Sequence, residues 1–165
     1  MKHPYASMAD VSAKPTTRRR ALASGTITIG EAAFKLLEAG TLPKGDPLTM
    51  AEIAGIMAAK RTPDLLPLCH PISLSRVIVR SFLRPSNSAV EVFCLAEIDE
   101  KTGVEMEALC GVSIALLTIW DLVKPVNPEL HIGNQRLLYK SGGKTGEFVH
   151  SEGLSDDAKF ILDGQ

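Results

Sequence analysis

The sequence predicts an α+β domain, with helices covering one antiparallel sheet. The first observation is the order of patterned segments: strand, two helices, two strands, helix, strand. The second is the absence of any repeat or long linker that would separate these segments into independent units. The third is length, since 165 residues make one domain with a core of its own.

The elements follow in chain order. Residues 1–20 are polar and close on a basic cluster of Lys14, Arg18, Arg19 and Arg20, which reads as a flexible arm. Such a cluster serves either as a phosphate clamp or as a solvated tail. One catalytic domain is expected over 21–150, followed by a polar tail over 151–165. Alternating Thr and Ile in Ala21–Ile29 give a strand. Helical spacing runs over Gly30–Ala39, ended by Gly40, and over Thr49–Arg61, ended by Thr62-Pro63. Arg76–Leu83 and Ala89–Ile98 form a strand pair joined by Pro85-Ser86-Asn87-Ser88. Val104–Lys124 is the longest helix, and Leu130–Lys140 is a last strand leading into SGGKTGE.

That long helix is apolar on every face, through Leu109, Val112, Ile114, Leu116, Leu117, Ile119 and Trp120. A sheet covers one face only, so a second cover is required. A second subunit or the two upstream helices can provide it, and the first is the expectation here.

Composition excludes several functions. A net charge of -1 gives no global field toward nucleic acid or membrane. Aromatic residues at 5% leave few stacking platforms for nucleic acid. The uncharged run Ala108–Trp120 is short for a bilayer and contains Ser113 and Thr118. Three cysteines without close spacing, Cys69, Cys94 and Cys110, fit a reducing cytoplasm better than a disulfide scaffold.

Some residues can do chemistry. Asp121 and Lys124 lie three apart, directly after thirteen uncharged positions. They are either a surface ion pair or an acid–base pair whose pKa values desolvation moves, the aspartate up and the lysine down. Glu105 and Glu107 open the same helix, where the dipole favours carboxylates. Glu105 lies 16 residues before Asp121, about 24 Å and about 160° of rotation away. Glu107 shares a face with Asp121 but stands about 21 Å off. The two ends cannot meet at one small reacting centre within a chain. His70, between Pro67 and Pro71, sits in a rigid turn suited to a positioned acid–base group or to a structural role. Its adjacency to Cys69 is poor zinc spacing, and no metal site or cofactor is expected. Lys140-Ser141-Gly142-Gly143-Lys144 lacks the Walker A spacing, but offers backbone N–H groups and two cations to a phosphate. Lys44 adds another cation.

The strings DVSAK, KGD, AGIMAAKRT, LCHP, KTGVEMEAL, DLVK and KSGGKTG resemble, in order and spacing, the cyclic pyranopterin monophosphate synthase family, MoaC. The resemblance spans nearly the whole chain and implies a two-layer, ferredoxin-like fold. It also implies a homo-oligomer, a hexamer built as a trimer of dimers, with substrate held at subunit interfaces. The implied reaction converts 3′,8-cyclo-7,8-dihydroguanosine 5′-triphosphate to cyclic pyranopterin monophosphate and pyrophosphate in molybdenum cofactor biosynthesis. Asp121, Lys124, His70 and Lys44 match catalytic positions. Leu68, Cys69, His70, Glu105, Met106, Glu107, Lys140 and Arg19 match substrate-binding positions. Two residues depart from the family pattern. Pro125 stands where alanine is usual and disfavours helical geometry at Lys124; Glu100 replaces glycine before KTG. The competing expectation is a non-catalytic nucleotide-binding or scaffolding homologue.

Overall fold

The computed structural model describes residues 6–144 and 146–164. Its elements are β1 (Thr17–Thr28), α1 (Glu31–Glu38), α2 (Pro47–Lys60), α3 (Thr62–Leu65), β2 (Arg76–Arg84), β3 (Ala89–Glu100), α4 (Glu105–Val123), β4 (His131–Ser141), β5 (Phe148–Val149) and α5 (Asp156–Leu162). The five strands pair antiparallel in the order β2-β3-β1-β4-β5. With helices between β1 and β2 and between β3 and β4, this is the split βαβ pattern of a ferredoxin-like α+β fold.

The sheet is held at its centre by β1 and β3, which pair without a break from Thr17↔Glu100 to Thr28↔Ala89. Ala21, Ala23, Val92, Cys94 and Ala96 fill the side that α4 covers. β1 begins four residues before the expected Ala21, because Arg18, Arg19 and Arg20 continue the ladder with β3. These arginines therefore stand in the sheet, where the sequence had placed them in the arm. α2 begins two residues before the expected Thr49, because Asp46 caps it, accepting from the N–H groups of Leu48 at 2.9 Å and Thr49 at 3.3 Å. Pro47 fits the first turn, where no N–H is needed.

α4 gains its second cover from α2. The two helices cross closely at a pair of glycines: a Cβ on Gly55 would lie 2.9 Å from the Gly111 carbonyl oxygen. α2 is thus part of the cover that the long helix demanded. It is not all of it, because Leu117 stays 54% exposed and Met50, Ile53, Met57 and Leu65 are each more than half exposed on α2, α3 and α4. At 19 residues and a mean hydropathy of 1.7, α4 is long and apolar enough to cross a bilayer. Half of that stretch is nevertheless buried within the domain, with Val112, Ala115, Leu116 and Ile119 fully enclosed.

The reverse face of the sheet carries α5, in the segment expected to be a polar tail. Ser155 caps it by accepting from Ala158 N–H, and Ala158 and Ile161 bury themselves against Leu22, Phe93, Leu95 and Leu138. Behind α5, the buried carboxylate of Glu97 meets Arg20 at 2.6 Å and Arg18 at 3.3 Å. Arg20 and Arg76 also donate to the carbonyls of Leu162 and Gly164, tying the helix end to the sheet.

Candidate functional site

The expected residues gather in two groups, one at each end of α4. The N-terminal group begins where β3 ends and the chain turns through Thr102 and Gly103. A Cβ at Gly103 would overlap the Glu105 carboxylate, so a side chain there would force Glu105 to move. Glu105 is paired with Lys140 of β4 at 3.0 Å. Glu107, two residues on, turns inward and is only 3% exposed. Burial pushes its carboxyl above the ordinary range; the Glu105 charge adds to this, and its own backbone N–H and the His70 ring oppose it. The dipole explanation for this acidic pair is therefore outweighed at Glu107, where desolvation dominates.

The turn after α3 supplies the opposite wall. Cys69 N–H donates to the Leu66 carbonyl at 3.1 Å, fixing the Leu68-Cys69-His70 bend. Leu68, Cys69, His70, Glu105, Met106 and Glu107 together line a cavity of about 240 Å³, which Ala9 also borders. The Ala9 carbonyl lies 2.8 Å from His70 Nε2. Burial first, then the charges of Glu107 and Cys110, raise the Cys69 thiol pKa, so it stays protonated. Among the described residues, no group of three His, Cys, Asp or Glu side chains is placed to hold a metal ion.

A second cavity of about 380 Å³ is lined by Lys14, Pro15, Thr17, Arg19, Gly143 and Lys144. Arg19 is aimed by two backbone acceptors, the carbonyls of Glu100 at 3.2 Å and Lys101 at 3.3 Å. Gly142 and Gly143 both have positive φ, and a Cβ on Gly143 would overlap the Arg19 guanidinium. The glycine pair thus lets the loop close over Arg19, a packing role beyond the phosphate cradle its composition suggested. Thr145, within the same motif, lies outside the described residues. Thr17 Oγ1 is buried here without a hydrogen-bond partner in the protein. Three cations and an unpaired hydroxyl around one cavity suit an anionic group such as a phosphate.

The C-terminal group is an ion triad. Lys124 Nζ lies 2.7 Å from Asp121 Oδ1, and Lys44 Nζ lies 3.0 Å from Oδ2. Lys44 also donates to the Asp121 carbonyl at 3.0 Å, satisfying an acceptor in the last turn of the helix. The Asp121 side chain is 53% exposed. Hydrogen bonds from Lys124 and then Lys44 hold its pKa below the ordinary carboxylate range. Of the two alternatives for this pair, the single subunit shows the exposed ion pair; the upward shift that desolvation would give Asp121 is absent because the site is open. Pro125 does not disturb Lys124, which keeps helical geometry at φ -53° and ψ -25°. Glu100 accepts from Lys101 N–H at 3.1 Å.

Sequence reasoning missed two features of these groups. By residue type alone Lys44 reads as one more phosphate-binding cation, only the resemblance counts it with Asp121 among catalytic positions, and their contact crosses 77 residues without a local signal. The contact from Ala9 to His70 runs through a backbone carbonyl, which no residue type announces.

The MoaC family model matches residues 8–143 of this chain. The cyclic pyranopterin monophosphate synthase of Roseiflexus sp. (strain RS-1) is 50% identical over 145 residues, covering 88% of this chain and 92% of that protein. The synthase of Heliobacterium modesticaldum is 46% identical over 147 residues, covering 89% and 92%. Molybdenum cofactor biosynthesis protein 1 of Drosophila melanogaster is 50% identical over 139 residues, 84% of this chain and 25% of the fly protein. Matches of this extent take in both ends of α4, and the chain belongs to the MoaC family.

Proposed function

We propose that this chain is a cyclic pyranopterin monophosphate synthase whose working site is shared between two subunits. The substrate is 3′,8-cyclo-7,8-dihydroguanosine 5′-triphosphate, and the products are cyclic pyranopterin monophosphate and pyrophosphate. The observation that carries the shared site is the separation of the two groups by the length of α4, about 21 Å between Glu107 and Asp121. Neither group has what the reaction needs. The N-terminal group offers cations for a triphosphate and a protonatable carboxyl; the C-terminal group offers two ammonium groups for proton transfer. The exposed apolar side chains of α2, α3 and α4 favour a symmetric partner that brings one group to the other. A hexamer made as a trimer of dimers, in a reducing cytoplasm, is the assembly we favour.

Roles follow from chemistry. Opening the purine-derived ring and reclosing it as a pterin needs repeated proton transfers, for which Lys44, Lys124 and His70 are the candidates. Asp121, ionised between two ammonium groups, aims them and accepts a proton once one is displaced. Arg19 and Lys140 neutralise the phosphates as pyrophosphate departs. Leu68, Cys69 and Met106 shape the cavity wall, while Glu105 and Glu107 address the base.

Incubation with the cyclic dihydro-GTP intermediate should release pyrophosphate and yield the pterin. Binding without release would favour the scaffolding alternative. Chains carrying Glu107→Ala mixed with chains carrying Asp121→Ala should regain part of the activity that each lacks alone. A mixed oligomer that stays inert removes the shared site.

A further inference from the structure

We propose that the N-terminal strap, residues 9–12, positions His70 by fixing its tautomer, holding the ring proton on Nε2 and leaving Nδ1 as the only base of the neutral ring. The geometry is direct. Ala9 O lies 2.8 Å from His70 Nε2. A carbonyl oxygen only accepts, so Nε2 must donate; a neutral imidazole has one N–H, so its lone pair falls on Nδ1. The opposite tautomer would set two lone pairs against each other.

The strap is held where it makes this contact. Lys101 Nζ, in the turn leading into α4, donates to the Ser12 carbonyl at 3.0 Å. Asp10 accepts from Ser12 N–H at 2.9 Å and Ser12 Oγ at 2.7 Å, closing a local turn. These hydrogen bonds hold the Asp10 carboxyl below its ordinary pKa. Lys14 N–H then bonds to the Val11 carbonyl at 3.0 Å, and Lys14 and Pro15 border the cavity around Arg19. The strap and the two residues Lys14 and Pro15 beyond it thus edge both cavities of the N-terminal group. Its anchor, Lys101, lies in the same turn whose carbonyls aim Arg19. Ala9, not a charged residue, supplies the contact, so the ring is oriented through a neutral backbone acceptor.

The test has a spectroscopic arm that needs no substrate, and a kinetic arm that rests on the synthase reading. In the ¹⁵N-labelled full chain above about pH 8, where imidazoles are neutral, His70 should show a protonated Nε2 and an unprotonated Nδ1. Lys101→Ala in the full chain, and a variant lacking residues 1–12, should both average the two nitrogens. A variant beginning at Met8 should keep the single tautomer. In the kinetic arm the 1–12 deletion should lower kcat about tenfold, with a smaller change in KM, as expected for one hydrogen bond to an acid–base group. A protonated Nδ1 in the full chain, or a single Nε2–H tautomer that survives the 1–12 deletion, overturns the proposal. If the tautomer shifts as expected but the intermediate is not converted, the synthase reading fails and the strap reading stands.

Discussion

The two ends of α4 each hold a carboxylate essential to the proposed site, and folding treats them in opposite ways. Glu107 turns into the protein, is 3% exposed, and has its pKa raised by burial. Asp121 faces solvent, lies between two ammonium groups, and has its pKa lowered by them. The lesson concerns environment over residue type: burial favours the protonated form at one end, and the other stores a negative charge. A reaction that moves protons needs both, and one helix keeps them too far apart to neutralise each other.

Removing the charge store should have the largest effect. Asp121→Ala and Lys124→Ala are each expected to lower turnover about 10³-fold, in the middle of the range that a positioned acid–base group contributes. Because the triad is exposed, both variants should fold and assemble as before, as gel filtration and circular dichroism would report. Loss of assembly in either would recast the triad as a structural ion pair.

The buried end should respond less in rate and more in pH dependence. Glu107→Gln keeps the shape but cannot ionise, and should cost about 10² in turnover. A carboxyl whose pKa rises on folding binds its proton more tightly in the folded chain. Stability therefore falls as pH climbs from the unfolded value near 4.5 toward the folded one, and stays reduced above it. Glu107→Gln abolishes that fall, so its thermal midpoint should gain on the unsubstituted protein as pH climbs above the unfolded value near 4.5. A gap that shrinks over this range would mean that Glu107 finds a cation in the assembly and that burial does not govern it.

Much of this comparison was legible in the sequence, and what was not has physical causes. The length and all-round apolarity of α4 gave both the separation of its ends and the need for a second cover. The early starts of β1 and α2 were hidden because the arginines of β1 look like a charged tail, and because Asp46-Pro47 reads as loop when only apolar periodicity is followed. α5 was invisible for a similar reason: only Ala158 and Ile161 mark its buried face, too few to set a period. At the site, residue identities came from the ordered motifs, but the Asp121 shift rests on Lys124 first and then on Lys44, which the chain brings from a distant loop. The exposure of the triad was equally unreadable, since thirteen uncharged positions before it suggested a buried edge.

A third change probes how the N-terminal end is aimed. Gly143→Ala places a Cβ against the Arg19 guanidinium at a φ of +76°, a left-handed conformation costing about 1–2 kcal/mol outside glycine. Arg19 must swing from its two carbonyl acceptors, so KM for the triphosphate should rise about tenfold while kcat falls less. The Asp121 triad should be untouched. An unchanged KM would show that Arg19 does not reach the phosphates.

The smallest effect is expected at Pro125, the departure nearest the exposed triad. Proline restricts the residue before it, yet Lys124 already adopts helical angles and donates its N–H to the Trp120 carbonyl at 2.9 Å. The missing N–H of Pro125 falls just past the helix, where the N–H of Val126 reaches the Val123 carbonyl at 2.9 Å and completes the turn. Lys124 Nζ already sits 2.7 Å from Asp121. Pro125→Ala should therefore alter turnover by no more than about twofold, the factor by which ordinary surface changes move a free energy. A gain of tenfold or more would mean that Lys124 leaves this geometry during the reaction and that proline hinders the movement. The exposed end would then work by motion, and the buried end by fixed placement.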